Sequence, residues 1–351
     1  MKILFVLLVV LCAAVSGRAE DKSARVDELF RDYTGSVVPG ASVIIIQDGK
    51  VLHKKAYGMA DLEAHAAATT ATNYRLASFT KQFTAMCIMM LAERKKLSLD
   101  EPLPAFFPDF PAYGKQITVR HLLTHTSGLL DYEDLMPADT KVPILDKGAL
   151  ELLKKQDKTN FPPGSEFRYS NSGFVVLALI VEARSGMTFA QFLKKNIFDP
   201  LGMGKTVAFE NGISTVSNRA YGYTQRDKGF ERTDQSMTSS TLGDGGIYTS
   251  VNDLFHWDQA LYTTKLVKRE SLEQAWTPFT LTNGKRTEYG FGWFVKDYRG
   301  LHTVQHDGST IGFRTSILRV PDRKFTAIVL VNRNEGKPGE IAQRIVDLYL
   351  F

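Results

Sequence analysis

The feature that most constrains the fold is the placement of strand-forming sequence at the two ends of the chain. Near the start, Ala41 to Ile46 is rich in β-branched residues, Asp48-Gly49 is a strong hairpin signal, and a second strand runs from about Lys50 to Tyr57. Near the end, Gly290 to Val295, Thr303 to His306, Phe313 to Val320 and Phe325 to Asn332 alternate or run apolar, with Pro321-Asp322 marking the last hairpin. A closing helical pattern puts Ile341, Ile345, Leu348 and Tyr349 on one face. Between the ends the patterns are helical, near Phe79 to Arg94, Thr118 to Leu123, Phe174 to Ser185 and Phe189 to Ile197, and Thr118 is a suitable N-cap. Strands must pair, so strand-rich ends around a helical middle predict an α/β (α+β) chain with one mixed, mainly antiparallel sheet built from both ends. The sheet domain is expected over residues 20–77 and 286–351, and an inserted, mainly helical domain over 78–285. A site is expected between the two.

Met1-Lys2 followed by the apolar run Ile3 to Val15 reads as a signal peptide with cleavage after Ser16 or Ala19. The 13 apolar residues fall short of the roughly 20 that span a bilayer, so no stable membrane span is expected after its removal. A secreted or periplasmic location follows as an expectation. The mature chain would carry a net charge near +3, too slight to imply nucleic-acid binding. Cys87 would be its only cysteine, so packing rather than a disulfide must stabilise it.

Three segments carry candidate chemistry. The first is Ser78-Phe79-Thr80-Lys81, where an extended stretch gives way to a helix. Residues i and i+3 are neighbours on a helix, so Lys81 can reach the Ser78 hydroxyl, and a serine needs such a base to become a nucleophile. The unpaired N–H groups at a helix start suit a developing oxyanion. The second is Tyr169-Ser170-Asn171, which opens a new apolar helix after the turn-rich Pro162-Pro163-Gly164. A tyrosine beside cations can move a proton, and Asn171 can orient Lys81 and a substrate carbonyl. The third is His306-Asp307-Gly308-Ser309, on an expected edge strand facing the site. Gly308 permits close backbone approach, and the Ser309 N–H is a candidate second oxyanion donor.

Ser-x-x-Lys, Tyr-x-Asn and His-x-Gly in this order resemble the serine β-lactamase and penicillin-binding-protein superfamily, in its class C-like branch with D-alanyl-D-alanine carboxypeptidases and esterases. Further landmarks of that resemblance are His121-Leu122-Leu123-Thr124-His125-Thr126-Ser127-Gly128-Leu129, Asp199-Pro200-Leu201-Gly202-Met203, Gly245-Gly246 with Thr249-Ser250, and Tyr289-Gly290-Phe291-Gly292-Trp293. The resemblance covers nearly all of the mature chain. It implies a β-lactamase/transpeptidase-like fold, acylation of Ser78 and hydrolysis of the acyl-enzyme with Lys81 and Tyr169 sharing the proton work, and no cofactor or metal. The substrate it implies is an ester, amide or β-lactam, either a small molecule or derived from peptidoglycan. The alternative is a cell-wall-binding or regulatory protein that keeps the fold without turnover.

One departure from the pattern stands out. Penicillin-recognising members usually carry Lys-Thr-Gly or Lys-Ser-Gly where this chain has His306-Asp307-Gly308. An aspartate repels a substrate carboxylate, so strong β-lactamase activity is not expected, although His306 could still bond to a substrate. Other motifs have plainer readings. Gly202-Met203-Gly204-Lys205-Thr206 ends like a phosphate loop but lacks its first glycine. His121 and His125 are spaced as metal ligands but lack a third partner and read as structural. No Gly-x-Ser-x-Gly surrounds a serine, and Met86, Met89, Met90 and Leu91 read as core.

Overall fold

A computed structural model describes residues 22–351; the expected signal segment lies outside the described residues. The main sheet has six antiparallel strands: β1 (Ala41–Gln47), β2 (Lys50–Tyr57), β3 (Phe294–Tyr298), β4 (Leu301–Thr310), β5 (Phe313–Val320) and β6 (Phe325–Val331). Their spatial order is β3-β4-β5-β6-β1-β2. The two chain ends meet at the centre, where β1 pairs with β6 from Ala41↔Val331 to Gln47↔Phe325. These strands read as continuous apolar runs because both of their faces are covered.

The covering layers differ. Val43, Ile45, Ala327 and Val329 face a layer with Val26 of the helix over residues 22–29 (α1), Phe30 just after it, and Ile341 and Ile345 of the closing helix (Pro338–Leu350). On the other face, Ile44, Ile46, Ile328 and Leu330 join one large core with Leu76, Phe79, Phe83 and Trp257 of the helical part. Two helices form the centre of that part, α2 (Lys81–Glu93) and α3 (Asn171–Ser185). Each is buried along most of its length, so neither shows the one-sided pattern of a surface helix.

Two local differences from the sequence reading matter for the site. The segment expected as a strand from Gly290 begins as a turn: the Gly290 N–H donates to the Trp293 carbonyl at 2.9 Å, Gly292 has φ +76°, and β3 starts only at Phe294. Gly292 lies so close to α2 that a Cβ would sit 2.7 Å from the Lys81 carbonyl oxygen, so close packing and not strand pairing dictates its conformation. The strand bearing His306 is not an edge strand throughout. β3 covers Leu301 to Gln305 of β4, and only from His306 onward does no described strand pair with that side. The open edge is thus confined to the half that runs beside Ser78.

Candidate active site

Ser78 is presented by a short structural relay. Tyr74–Arg75 pairs with Ile247–Thr249, the Leu76 N–H donates to the Ile247 carbonyl at 2.8 Å, and the chain then enters a 3-10 turn, Ala77–Thr80, before α2 begins at Lys81. The α-helix therefore starts later than the sequence suggested. The difference favours the chemistry, because a 3-10 turn eclipses positions i and i+3. Ala77 takes up the sharp change of direction with φ +51°, a strained value for a residue with a side chain.

The Lys81 side chain is fully buried and its Nζ meets three acceptors: Ser78 Oγ at 3.0 Å, Asn171 Oδ1 at 2.8 Å and the Asp244 carbonyl at 3.0 Å. An ammonium has three hydrogens to donate, so the three contacts use all of them and aim the nitrogen at the nucleophile. It also lies over the rings of Tyr169 at 4.9 Å and Phe174 at 5.6 Å. Asn171 reaches this point as the first residue of α3, capped by the Ser170 hydroxyl, which accepts from the Gly173 N–H. Tyr169, just before the cap, is half-buried, and its hydroxyl has no hydrogen-bond partner among the described residues.

The strand bearing Gly308 is bolted to the turn that bears Ser78. A Cβ at Gly308 would lie 2.0 Å from the Leu76 carbonyl oxygen and 2.2 Å from Thr315 Oγ1, and the Thr315 hydroxyl donates to that same carbonyl at 2.7 Å. Only glycine fits there. Ser309, the next residue, lines a cavity together with Ser78, Asn171, Thr238, Glu133 and Asp244.

That cavity is acidic. Neither Glu133 nor Asp244 has an ion-pair partner within 4.0 Å among the described residues. Glu133 Oε1 accepts from the Asn171 amide at 3.3 Å; burial, then the neighbouring Asp131 and Asp244 charges, push its carboxyl above the usual range. Asp244 accepts from the Tyr132 hydroxyl at 3.1 Å through Oδ2, while its buried Oδ1 has no partner. Arg75 also lines the cavity, but its guanidinium is spent on the Gly245 and Ser239 carbonyls and Gln235. Beneath, Asp146 accepts the Leu242 N–H at 2.8 Å and the Gly243 N–H at 3.0 Å, and burial pushes its carboxyl up to about 7. Asp146 thereby ties down the loop whose Asp244 carbonyl meets Lys81.

The structure brings together Ser78, Lys81, Tyr169, Asn171, Gly308 and Ser309, and it corrects one expectation. His306 does not offer its ring to a substrate. It is 1% exposed, Nε2 lies 2.9 Å from the Tyr289 hydroxyl and Nδ1 lies 2.7 Å from the Asp307 carbonyl, so both ring nitrogens are used within the protein. Burial, and then the Lys81 charge, pull its pKa down to about 3, so the ring is neutral. The strand alternation sends Asp307 to the other side, where its carboxylate lies against Gly339 at the start of the closing helix. Sequence reasoning missed Glu133, the Asp244 carbonyl and the part played by His125. Gly245-Gly246 was the nearest signal for Asp244, and no motif surrounds Glu133.

Fold and site together define a hydrolase of the β-lactamase-related type. Comparison with known proteins agrees: a sequence model described as Beta-lactamase matches residues 26–350, and the chain belongs to that family. It is 31% identical over 339 residues to a penicillin-binding protein of Bacillus subtilis, covering 92% of this chain and 74% of that one. It is 29% identical over 331 residues to a D-aminopeptidase of Brucella anthropi, covering 93% of this chain but only 62% of that protein's length. Among solved structures, an octameric penicillin-binding protein homologue from Pyrococcus abyssi superposes with a TM-score of 0.78 at 29% identity, over 95% of this chain and 77% of the other. A D-amino acid amidase from Ochrobactrum anthropi has the same fold, with a TM-score of 0.79 at 23% identity over 93% of this chain and 98% of the other.

Proposed function

We propose that this chain is an exported serine hydrolase that cleaves amides or esters whose acyl part carries a free ammonium group. The observation that carries the reading is the cavity beside Ser78, where Glu133 and Asp244 lack ion-pair partners. A substrate ammonium would supply a countercharge and favour the ionised form of Glu133. The Brucella relative is a D-aminopeptidase, which supports an amino-acyl substrate of the D series. In the reaction Ser78 Oγ attacks the carbonyl carbon while its proton goes to Tyr169 or to Lys81 in its free-amine form; that group gives the proton to the departing nitrogen or oxygen, and water then hydrolyses the ester on Ser78 and returns a proton to Oγ. The N–H groups of Ser78 and Ser309 would receive the oxyanion. Export rests on the leader-like first residues. Edman sequencing of the culture-supernatant protein should start after Ser16 or Ala19, and an intact Met1 would refute it.

The test compares D-phenylalanine amide with its N-acetyl form. Free amine should be preferred by about tenfold or more in kcat/KM, consistent with a charge-assisted contact of about 1.5–3 kcal/mol. Glu133→Gln keeps the bond to Asn171 and should erase the preference while leaving hydrolysis of a neutral nitrophenyl ester. Equal rates on both amides would sink the ammonium reading. Failure of any activated ester to add an acyl mass to Ser78, with saturable binding to peptidoglycan, would instead support the non-turnover alternative.

A further inference from the structure

His125 belongs to a stretch that sequence reasoning assigned to structure alone, yet it sits directly behind Tyr169. The short helix Val119–Leu123 ends at Thr124, and His125 follows in the left-handed region with φ +56°. Such values are uncommon outside glycine and cluster at sites where the surroundings over-determine the backbone. Here the surroundings are specific. The His125 carbonyl accepts the Arg168 N–H at 3.0 Å, and its Nδ1 accepts the Ser170 N–H at 3.0 Å. The two bonds bracket Tyr169 on the chain. The imidazole itself lies against the phenol, with centroids 4.2 Å apart and planes inclined by 34°.

From this geometry we infer that His125 is a positioning residue for Tyr169: its carbonyl holds the backbone before the tyrosine, its side chain holds the backbone after it and backs the ring, and together they set where the hydroxyl points. The inference rests on the proton-carrying role given to Tyr169 above. Because Nδ1 accepts a backbone N–H, the proton of the neutral ring is on Nε2, an atom that is buried and has no partner among the described residues. Protonating Nδ1 would break the bond to Ser170 and place a second cation in the site. The groups that face the ring are Lys81 from α2, Tyr169 itself, Tyr289 from the turn before β3 (centroids 4.5 Å) and His306 from β4. Burial, and then the Lys81 charge, hold its pKa well below that of a free imidazole. Tyr289 joins the two histidines, since its ring packs on His125 and its hydroxyl meets His306 Nε2 at 2.9 Å. The support behind Tyr169 is thus uncharged and continuous from β4 to α3.

Two variants separate the parts of this role, measured on the full chain with a nitrophenyl ester. His125→Phe keeps a ring against the phenol but leaves the Ser170 N–H unpaired. His125→Asn supplies an acceptor at the place of Nδ1 without the ring. His125→Phe should lower kcat by about 10- to 100-fold with KM within about threefold, and His125→Asn should recover most of that loss. The acid limb of the kcat/KM pH profile should keep its position in His125→Asn. Rates are taken per acylatable Ser78, so loss of folded protein does not count. Two folded variants with wild-type kcat, a loss confined to KM, or an acid limb that moves would overturn the role. If His125→Phe does not fold, the kcat and pH profile of His125→Asn decide alone. Wild-type activity indifferent to Tyr169→Phe would remove the role together with the reading of Tyr169. Dependence on Tyr169 with no response at His125 overturns the positioning role only.

Discussion

Lys81 shows what a single side chain contributes in this site. Its three acceptors come from three distant parts of the chain, the Ser78 hydroxyl, the Asn171 amide and the Asp244 carbonyl, so the side chain is both proton carrier and keystone. Lys81→Ala should abolish turnover and also leave the buried Asp244 carbonyl and the half-buried Ser78 and Asn171 acceptors without this donor, so it should lower stability by about 1–3 kcal/mol, chiefly at the buried carbonyl. Thermal unfolding beside a burst assay separates the two effects. Tyr169 is half-exposed, and its hydroxyl has no partner among the described residues. Tyr169→Phe should therefore cost little stability but about 100-fold or more in kcat, the usual range for a positioned acid or base. A Tyr169→Phe enzyme of near-normal rate would assign the proton work to Lys81 alone. Ser78 and Lys81 were legible as a pair only in the company of Tyr169-Ser170-Asn171 and the His306 strand, because a three-residue spacing by itself is common. Glu133 was not, because a carboxylate that meets its site only through the fold leaves no local pattern.

At the scale of elements, the site depends on how closely β4 is pressed against the turn before α2. Gly308→Ala would put a methyl group 2.0 Å from the Leu76 carbonyl oxygen, an atom of backbone that cannot rotate away. The expected cost is about 1–3 kcal/mol of stability and a marked fall in kcat, since the strand and Ser78 must part. Retention of full activity would mean that the contact is dispensable. The loop after Asp146 offers a pH test. The folded-state pKa of Asp146 is raised to about 7, so the folded chain holds this proton more tightly than the unfolded chain. Its stabilising share is complete below about pH 4 and is lost as pH rises through about 7. The stability gap between the wild type and Asp146→Asn should accordingly shrink between pH 5 and pH 8 in urea titrations. A gap that is constant or widens would contradict this. Hairpins β1-β2 and β5-β6 were readable because turn chemistry is local. The 3-10 turn at Ala77 and the turn from Gly290 to Trp293 were not, because tight contacts with other segments impose them.

At the scale of the whole molecule, one buried ion pair joins the inserted helices to the sheet. The Arg319 Nε on β5 donates to Asp258 Oδ1 at 2.9 Å, with both side chains essentially unexposed, and the Thr326 hydroxyl on β6 donates to the same oxygen at 2.7 Å. Asp258 lies on the helix Val251–Ala260. Asp258→Ala should destabilise the fold by about 3–5 kcal/mol, because it leaves Arg319 buried and unpaired, and a loss below 1 kcal/mol in chemical denaturation would refute that. Nothing near either residue in sequence foretold the pair. What the sequence determined by itself is whatever repeats or lies close along the chain: two strand-rich ends that must share a sheet, helices between them, and a serine with a lysine one turn away. What only the tertiary structure decided is whatever depends on meeting across the chain. It turned His306 inward, placed His125 behind Tyr169, opened the edge of β4 only beside Ser78, and put Glu133 and Asp244, neither of them in an ion pair among the described residues, in the same cavity. Periodicity records which face of an element is buried, whereas the neighbours that a buried or charged group meets are set by packing between distant segments, 90 and 163 residues away in the case of Lys81.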